Sequence, residues 1–285
     1  MIEHKQYKSI PEHYLRFKLA EFLFEDMPEG DKTSIGTVPE NELNTAIIEA
    51  QEDIVFAGEM ILKIIYENYQ LDYAAKDGDR ISSDGLIARV KAPSIYLLST
   101  ERLLLNLIQR LSGIATMTAK YVEIAEPYNV KILDTRKTTP GLRLFEKFAV
   151  TVGGGSNHRF DLSSGILIKD NHIAAAGGIT NAVRAAKKKA FGLPIEVEVE
   201  NFQQIKEALE AGIDGFLLDN MLPETTIEAV NMIREYQNGK CIFIESSGGI
   251  NLENLHDYVK TGVNAISSGA LTHSVKSADI HIEFV

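Results

Sequence analysis

The side chains best equipped for chemistry crowd into one stretch, residues 131–172. It carries seven Lys/Arg (Lys131, Arg136, Lys137, Arg143, Lys147, Arg159, Lys169) against four Asp/Glu, and adds His158 and His172. The full chain of 285 residues has a net charge of −11, so this is a cationic island on an acidic protein. Such a pattern suits a pocket that collects small anions, and it argues against a nucleic-acid surface, whose affinity rests on basic character. Arg136 offers a planar fork for a carboxylate or phosphate, with Lys137 as a point charge beside it. In GGGSNHR (153–159) the glycines permit positive φ and a close approach of backbone to ligand, and the donors Asn157, His158 and Arg159 follow at once. The spacing matches neither a P-loop nor a dinucleotide fingerprint.

ILIKDNH ends an apolar run in Lys169, with His172 three residues on. A lysine placed there is either a Schiff-base nucleophile or a charge that pairs with an anionic substrate. The surrounding cations favour the second reading. Arg143 and Lys147 read as scaffold, on a solvated helix face. On the acidic side, Glu196, Glu198 and Glu200 of IEVEVEN share one face of a strand. Glu198 and Asp219 (in FLLDN) offer oxygen ligands to Mg²⁺ or acceptors to ribose hydroxyls, whereas Glu200 reads as solvent-facing. ESSGGI and SSGALTHS are small-residue loops whose N–H groups suit phosphate, with Ser247, Gly248, Gly269 and His273 as candidates.

These residues need a frame. From about residue 130, strand-like runs (KILD, ILIKD, IEVEVE, GFLLD, CIFIE, AISSG) alternate with helical ones, which implies a parallel sheet with right-handed crossovers. Six runs that each end in polar groups fit the C-terminal rim of an α/β barrel better than the switch point of an open sheet. Upstream, LRFKLAEFLFED and AGEMILKIIYENY have helical spacing, and TAIIEAQE and LIARVKA strand character. Ser99 and Thr100 are predicted to cap a long helix interrupted near Gly113. Cys241, the single cysteine, reads as a buried strand residue in a reducing compartment. With no apolar run near the length of a bilayer and no signal-like start, the expected location is cytoplasmic.

In order, ERLLLNLIQRLSGIATMT, DTRKTTPGLRLFEKFAV, GGGSNHR, LIKDNHI, EVEVEN, LLDN, ESSGGINLEN and GALTHSVKSADI resemble the quinolinate phosphoribosyltransferase family. The resemblance is dense over residues 100–285 and looser at EDMPEGDKTS. It implies an N-terminal open-faced α/β sandwich domain (1–115), onto which the C-terminal tail packs back, and an incomplete α/β barrel (116–285). The implied activity is transfer of phosphoribosyl from 5-phosphoribosyl-1-diphosphate to quinolinate with loss of CO₂, in a Mg²⁺-dependent homodimer. Arg136, His158, Arg159 and Lys169 resemble the residues that clasp the two quinolinate carboxylates, and Arg102 an arginine reaching in from the partner subunit. Lys137, Glu198 and Asp219 would face the phosphoribosyl diphosphate and its metal, and Ser247, Gly248, Gly269 and His273 would surround phosphate. The rival readings are the ModD-like branch, a nicotinate-type transferase, a Schiff-base lyase acting through Lys169, and a non-catalytic binding barrel.

Overall fold

Alternating burial along two long strands shows how the first half of the chain folds. The structure, a computed structural model, describes residues 2–189 and 191–285. Strand β1 (Leu43–Ala50) buries Ala46, Ile48 and Ala50 in two-residue steps. This is the pattern of a sheet with one covered face. The short strands β2 (Ile54–Val55) and β4 (Arg80–Ile81) pair with each other, while β3 (Gln70–Ala74) pairs with β5 (Leu86–Pro93), which in turn pairs antiparallel with β1. Helices α1 (Glu12–Asp26), α2 (Lys32–Thr37), α3 (Glu59–Ile65), α4 (Ser94–Ala125) and α5 (Arg143–Val152) complete this part.

Two details differ from the sequence reading. Helix α4 begins at Ser94, five residues before Ser99, and Thr100 lies inside it, its hydroxyl donating to the Tyr96 carbonyl. The apolar periodicity from Tyr96 onward outweighs the capping preference of Ser99 and Thr100. Gly113 does not interrupt α4 either. Its missing side chain lets the 276–278 backbone lie against the helix, since a Cβ there would sit 2.4 Å from the Lys276 carbonyl oxygen. In α5, Lys147 is fully buried instead of lying on a solvated face, and Phe145 packs on the rings of Tyr14 and Phe22 of α1.

The second half has six parallel strands: β6 (Lys131–Leu133), β7 (Ile166–Ile168), β8 (Ile195–Val199), β9 (Gly215–Asp219), β10 (Phe243–Ser247) and β11 (Ala265–Ser267). They pair in the order β6-β11-β10-β9-β8-β7, all parallel, which leaves β6 and β7 as free edges. This is an incomplete α/β barrel. Beside the free edge of β6, Ser156 forms a parallel bridge with Leu133. The N-terminal residues join here. Gln6 and Asn157 exchange two hydrogen bonds (2.8 and 3.2 Å), and Ile2 is buried with Leu133, Phe243 and Ala265. Gly215 makes room for Ile2, whose Cδ1 would lie 2.5 Å from an added Cβ. Burying one such isoleucine contributes about 2 kcal/mol. Cys241 is exposed in a 3₁₀ turn (Gly239–Cys241), not buried in a strand, because β10 starts only at Phe243.

Strand β12 (Ile280–Phe284) returns to the first sheet, giving the order β12-β1-β5-β3. By compactness the chain forms two units, each built from segments that are separate in the sequence. One contains the segment through Gln6 with 120–138 and 155–273; the other contains 7–119, 139–154 and 274–285. Among the described residues, no helix is long and apolar enough to cross a membrane.

Candidate active site

Inward positions of parallel barrel strands recur every second residue. Strand β10 therefore presents Phe243, Glu245 and Ser247 at successive depths, and β8 presents Glu196 and Glu198. At the C-terminal ends of these strands lies a cavity of about 500 Å³, lined by Arg136, Lys137, His158, Arg159, Lys169, Glu198, Asp219, Ser247 and Gly248 among others. A second cavity of about 240 Å³ shares Lys137, Ser247 and Gly248 with it and adds Ser268, Gly269 and His273. The structure thus brings together every predicted site residue except Arg102. That arginine lies on α4 with its side chain 62% exposed, beside Glu101, and lines neither cavity.

The cations are held in place by their neighbours. Asp134, fully buried, accepts from the His158 backbone N–H (2.9 Å) and from Asn157 Nδ2 (2.6 Å), which ties the NHR segment to the end of β6. The Arg159 N–H donates to His158 Nδ1 at 2.7 Å. This bond occupies the Nδ1 lone pair, so the imidazole carries its proton on Nε2. Nε2 lies 3.5 Å from both Glu196 and Glu245, and the His4 ring stacks on the imidazole at 4.7 Å. Arg159 donates to the Gly165 carbonyl (2.9 Å), and burial together with the nearby Arg136 lowers the pKa of its guanidinium. Arg136 Nε is buried with no hydrogen-bond partner among the described residues. Two neighbouring guanidiniums, one with a buried unpartnered donor, make a site suited to an anion.

At the ends of β8 and β9, Glu198 forms an ion pair with Lys169, and Asp219 accepts from Asn220 Nδ2 (2.7 Å). Beneath them, Glu245 is pushed up to about 7 by burial, which outweighs the opposing effect of His158. Gly248 has φ +93°, and a Cβ on it would lie 2.2 Å from Asn220 Oδ1, so the loop after β10 can approach the neighbouring strand end only as glycine. The glycines at 153–155 serve differently from the expectation. None of them lines the cavity, and Gly153 packs on α4, where a Cβ would meet the Ala115 carbonyl at 2.4 Å. His172 also stays outside; its Nδ1 accepts the Lys169 N–H at the start of the following helix.

The sequence reading gave no role in the site to three contributors. Glu245 is signalled by a lone acid inside the apolar run FIES, two residues before Ser247 and so on the same face. Asp134, the acid that ends the run KILD, anchors a loop. His4 had no sequence signal.

The quinolinate phosphoribosyl transferase family matches the chain in both parts, its N-terminal domain over residues 31–112 and its C-terminal domain over 114–283. The chain belongs to this family. A probable nicotinate-nucleotide pyrophosphorylase [carboxylating] of Bacillus subtilis is 46% identical over 94% of this chain and 93% of its own length. The corresponding Mycobacterium leprae protein is 40% identical over 92% and 94%. The structure of the nicotinate-nucleotide pyrophosphorylase from Francisella tularensis superposes with a TM-score of 0.92 at 35% identity, covering 99% of this chain and all of that one. The two family domains follow the order of the sheets, the antiparallel one first and the parallel one second.

Proposed function

We propose that this protein is a quinolinate phosphoribosyltransferase. It transfers phosphoribosyl from 5-phosphoribosyl-1-diphosphate to the ring nitrogen of quinolinate, releasing pyrophosphate and CO₂ and leaving nicotinate mononucleotide. The observation that carries the reading is the cavity itself, which gathers the neighbouring guanidiniums of Arg136 and Arg159, the Lys169–Glu198 ion pair and Asp219. Arg136, Arg159 and Lys169 hold the two acceptor carboxylates, His158 lines the same wall with its Nε2 toward Glu196 and Glu245, and Arg102 is supplied across a homodimer. Lys137 bridges to the smaller cavity, where Ser247, Gly248, Gly269 and His273 receive phosphate. Glu198 and Asp219 are oxygen-only donors at adjacent strand ends, a set that fits Mg²⁺ completed by water and phosphate. When bound, the ion neutralises charge on the departing pyrophosphate.

The side chains do the rest by placement. Glu198 and Asp219 stabilise positive charge growing on the ribose, while the cationic wall orients the ring nitrogen toward it. Bonding makes the nitrogen cationic, and the adjacent ring carbon can then release CO₂ and keep the electron pair. Lys169 acts as a charge, consistent with its ion pair to Glu198, and needs no covalent step. Purified protein with quinolinate, phosphoribosyl diphosphate and Mg²⁺ should yield nicotinate mononucleotide and CO₂ in equal amounts. Turnover of nicotinate with none on quinolinate would overturn the proposal.

A further inference from the structure

Decarboxylation leaves an electron pair on the C2 ring carbon, and some group must deliver a proton to it. This inference rests on the proposed reaction. We propose that Glu245 is that acid, taking up a proton when the dianionic acceptor binds and giving it to C2 after CO₂ departs.

The geometry singles Glu245 out. It lines the cavity from inside the barrel, fully buried, and neither carboxylate oxygen has a hydrogen-bond partner among the described residues. The ionisable groups around it are His158 at 3.5 Å, Glu196 and Asp134, with Arg159, Lys169 and Glu198 lining the same cavity. Of the buried acids beside it, Asp134 is tied to the NHR backbone, and Glu196, which lies at the same 3.5 Å from His158 Nε2, does not line the cavity. His158 has Nδ1 occupied by the Arg159 N–H, so its only movable proton faces the two glutamates. A dicarboxylate seated on Arg136 and Arg159 brings two negative charges to a wall that contains Glu245. A like charge at that range disfavours the ionised form, so acceptor binding loads a proton from solvent. Burial already holds the group near neutrality before ligand arrives.

The step balances. The bond from C2 to its carboxylate carbon breaks, CO₂ leaves, and the pair remains on C2 beside the cationic nitrogen. The Glu245 O–H then breaks as the C2–H bond forms, and the resulting carboxylate stays in the site until the next acceptor binds and reloads it.

The test is titration calorimetry of the full chain with quinolinate in two buffers of different ionisation heat. The wild type should take up nearly one proton per site at about pH 8, and much less at about pH 6, where Glu245 already holds its proton. Glu245→Gln should bind quinolinate without uptake at either pH. Its kcat should fall about a hundred-fold, with phosphoribosyl diphosphate affinity kept as the mark of an intact barrel. The wild type alone also decides: its kcat should decline on the alkaline side with a solvent isotope effect. No uptake at the higher pH in the wild type, or equal uptake and rate in the Gln variant, would refute the assignment while the transferase reading stands. If the wild type neither binds nor turns over quinolinate, the underlying reading falls instead.

Discussion

Arg159 shows why the cavity calls for a dianion. Its guanidinium is buried and close to Arg136, which lowers its pKa, and its firm protein partner is a neutral carbonyl, that of Gly165. A carboxylate lying across both arginines relieves the repulsion and gains paired, charge-assisted hydrogen bonds. Arg159→Ala should therefore raise the KM for quinolinate about a hundred-fold, equivalent to ~3 kcal/mol, and leave that for phosphoribosyl diphosphate within a few-fold. Arg159→Lys should not restore it, since a single ammonium cannot both hold Gly165 and reach a carboxylate. Equal losses for both substrates would remove Arg159 from the carboxylate clasp. Glu245 makes a separate prediction about stability. Burial raises its folded pKa to about 7 from an ordinary 4.5, so the folded state binds the proton more tightly than the unfolded chain. Its contribution is full below the unfolded value and is lost as pH rises through the folded one. The wild-type Tm should fall relative to that of Glu245→Gln as pH climbs from about 4.5 past about 7. Parallel Tm profiles for the two proteins would contradict this.

At the scale of elements, close approach decides which glycines matter. Gly113 lies where the 276–278 backbone crosses α4, held there by the Ala278 N–H donating to the Gln109 carbonyl at 2.9 Å. Gly113→Ala should cost about 1–3 kcal/mol by overpacking. Gly36 in α2 has open space around it and no positive φ, so Gly36→Ala should stabilise by about 0.5–1 kcal/mol. Opposite Tm shifts from the same chemical change would verify the distinction. This contrast also marks what a sequence can disclose. The six barrel strands were legible because each apolar run ends in a polar group and is followed by a helical period. Gly113 reads as a break because the crossing 276–278 segment lies over 160 residues away, and no local pattern announces it. The same holds for His4 and Ile2, which pack on His158 and on Leu133, Phe243 and Ala265, residues far from them in the chain. The cationic clasp was visible as composition within one stretch, whereas the acid beneath it needed strand alternation and the real depth of β10.

At the scale of the whole molecule, Arg102 remains unaccounted for by one chain. It stands exposed on α4, and the same unit also exposes Phe17, Phe24, Ile35 and Leu98. If each cavity borrows Arg102 from its partner, two defective proteins should repair each other. Arg102→Ala spoils the site its chain lends to, and Arg159→Ala spoils the site its own barrel holds. Alone, each homodimer should be nearly inactive on quinolinate. After mixing under conditions that exchange subunits, half the dimers are hybrids, and each hybrid has one site with both arginines and one with neither. Activity should then recover to about a quarter of the wild-type value for equal amounts. Arg102 acting within its own chain predicts a different result, because every site in the mixture would still lack one arginine. No recovery, with subunit exchange verified by labelled chains, would place Arg102 outside the partner's site and leave the cavity to be completed from within one chain.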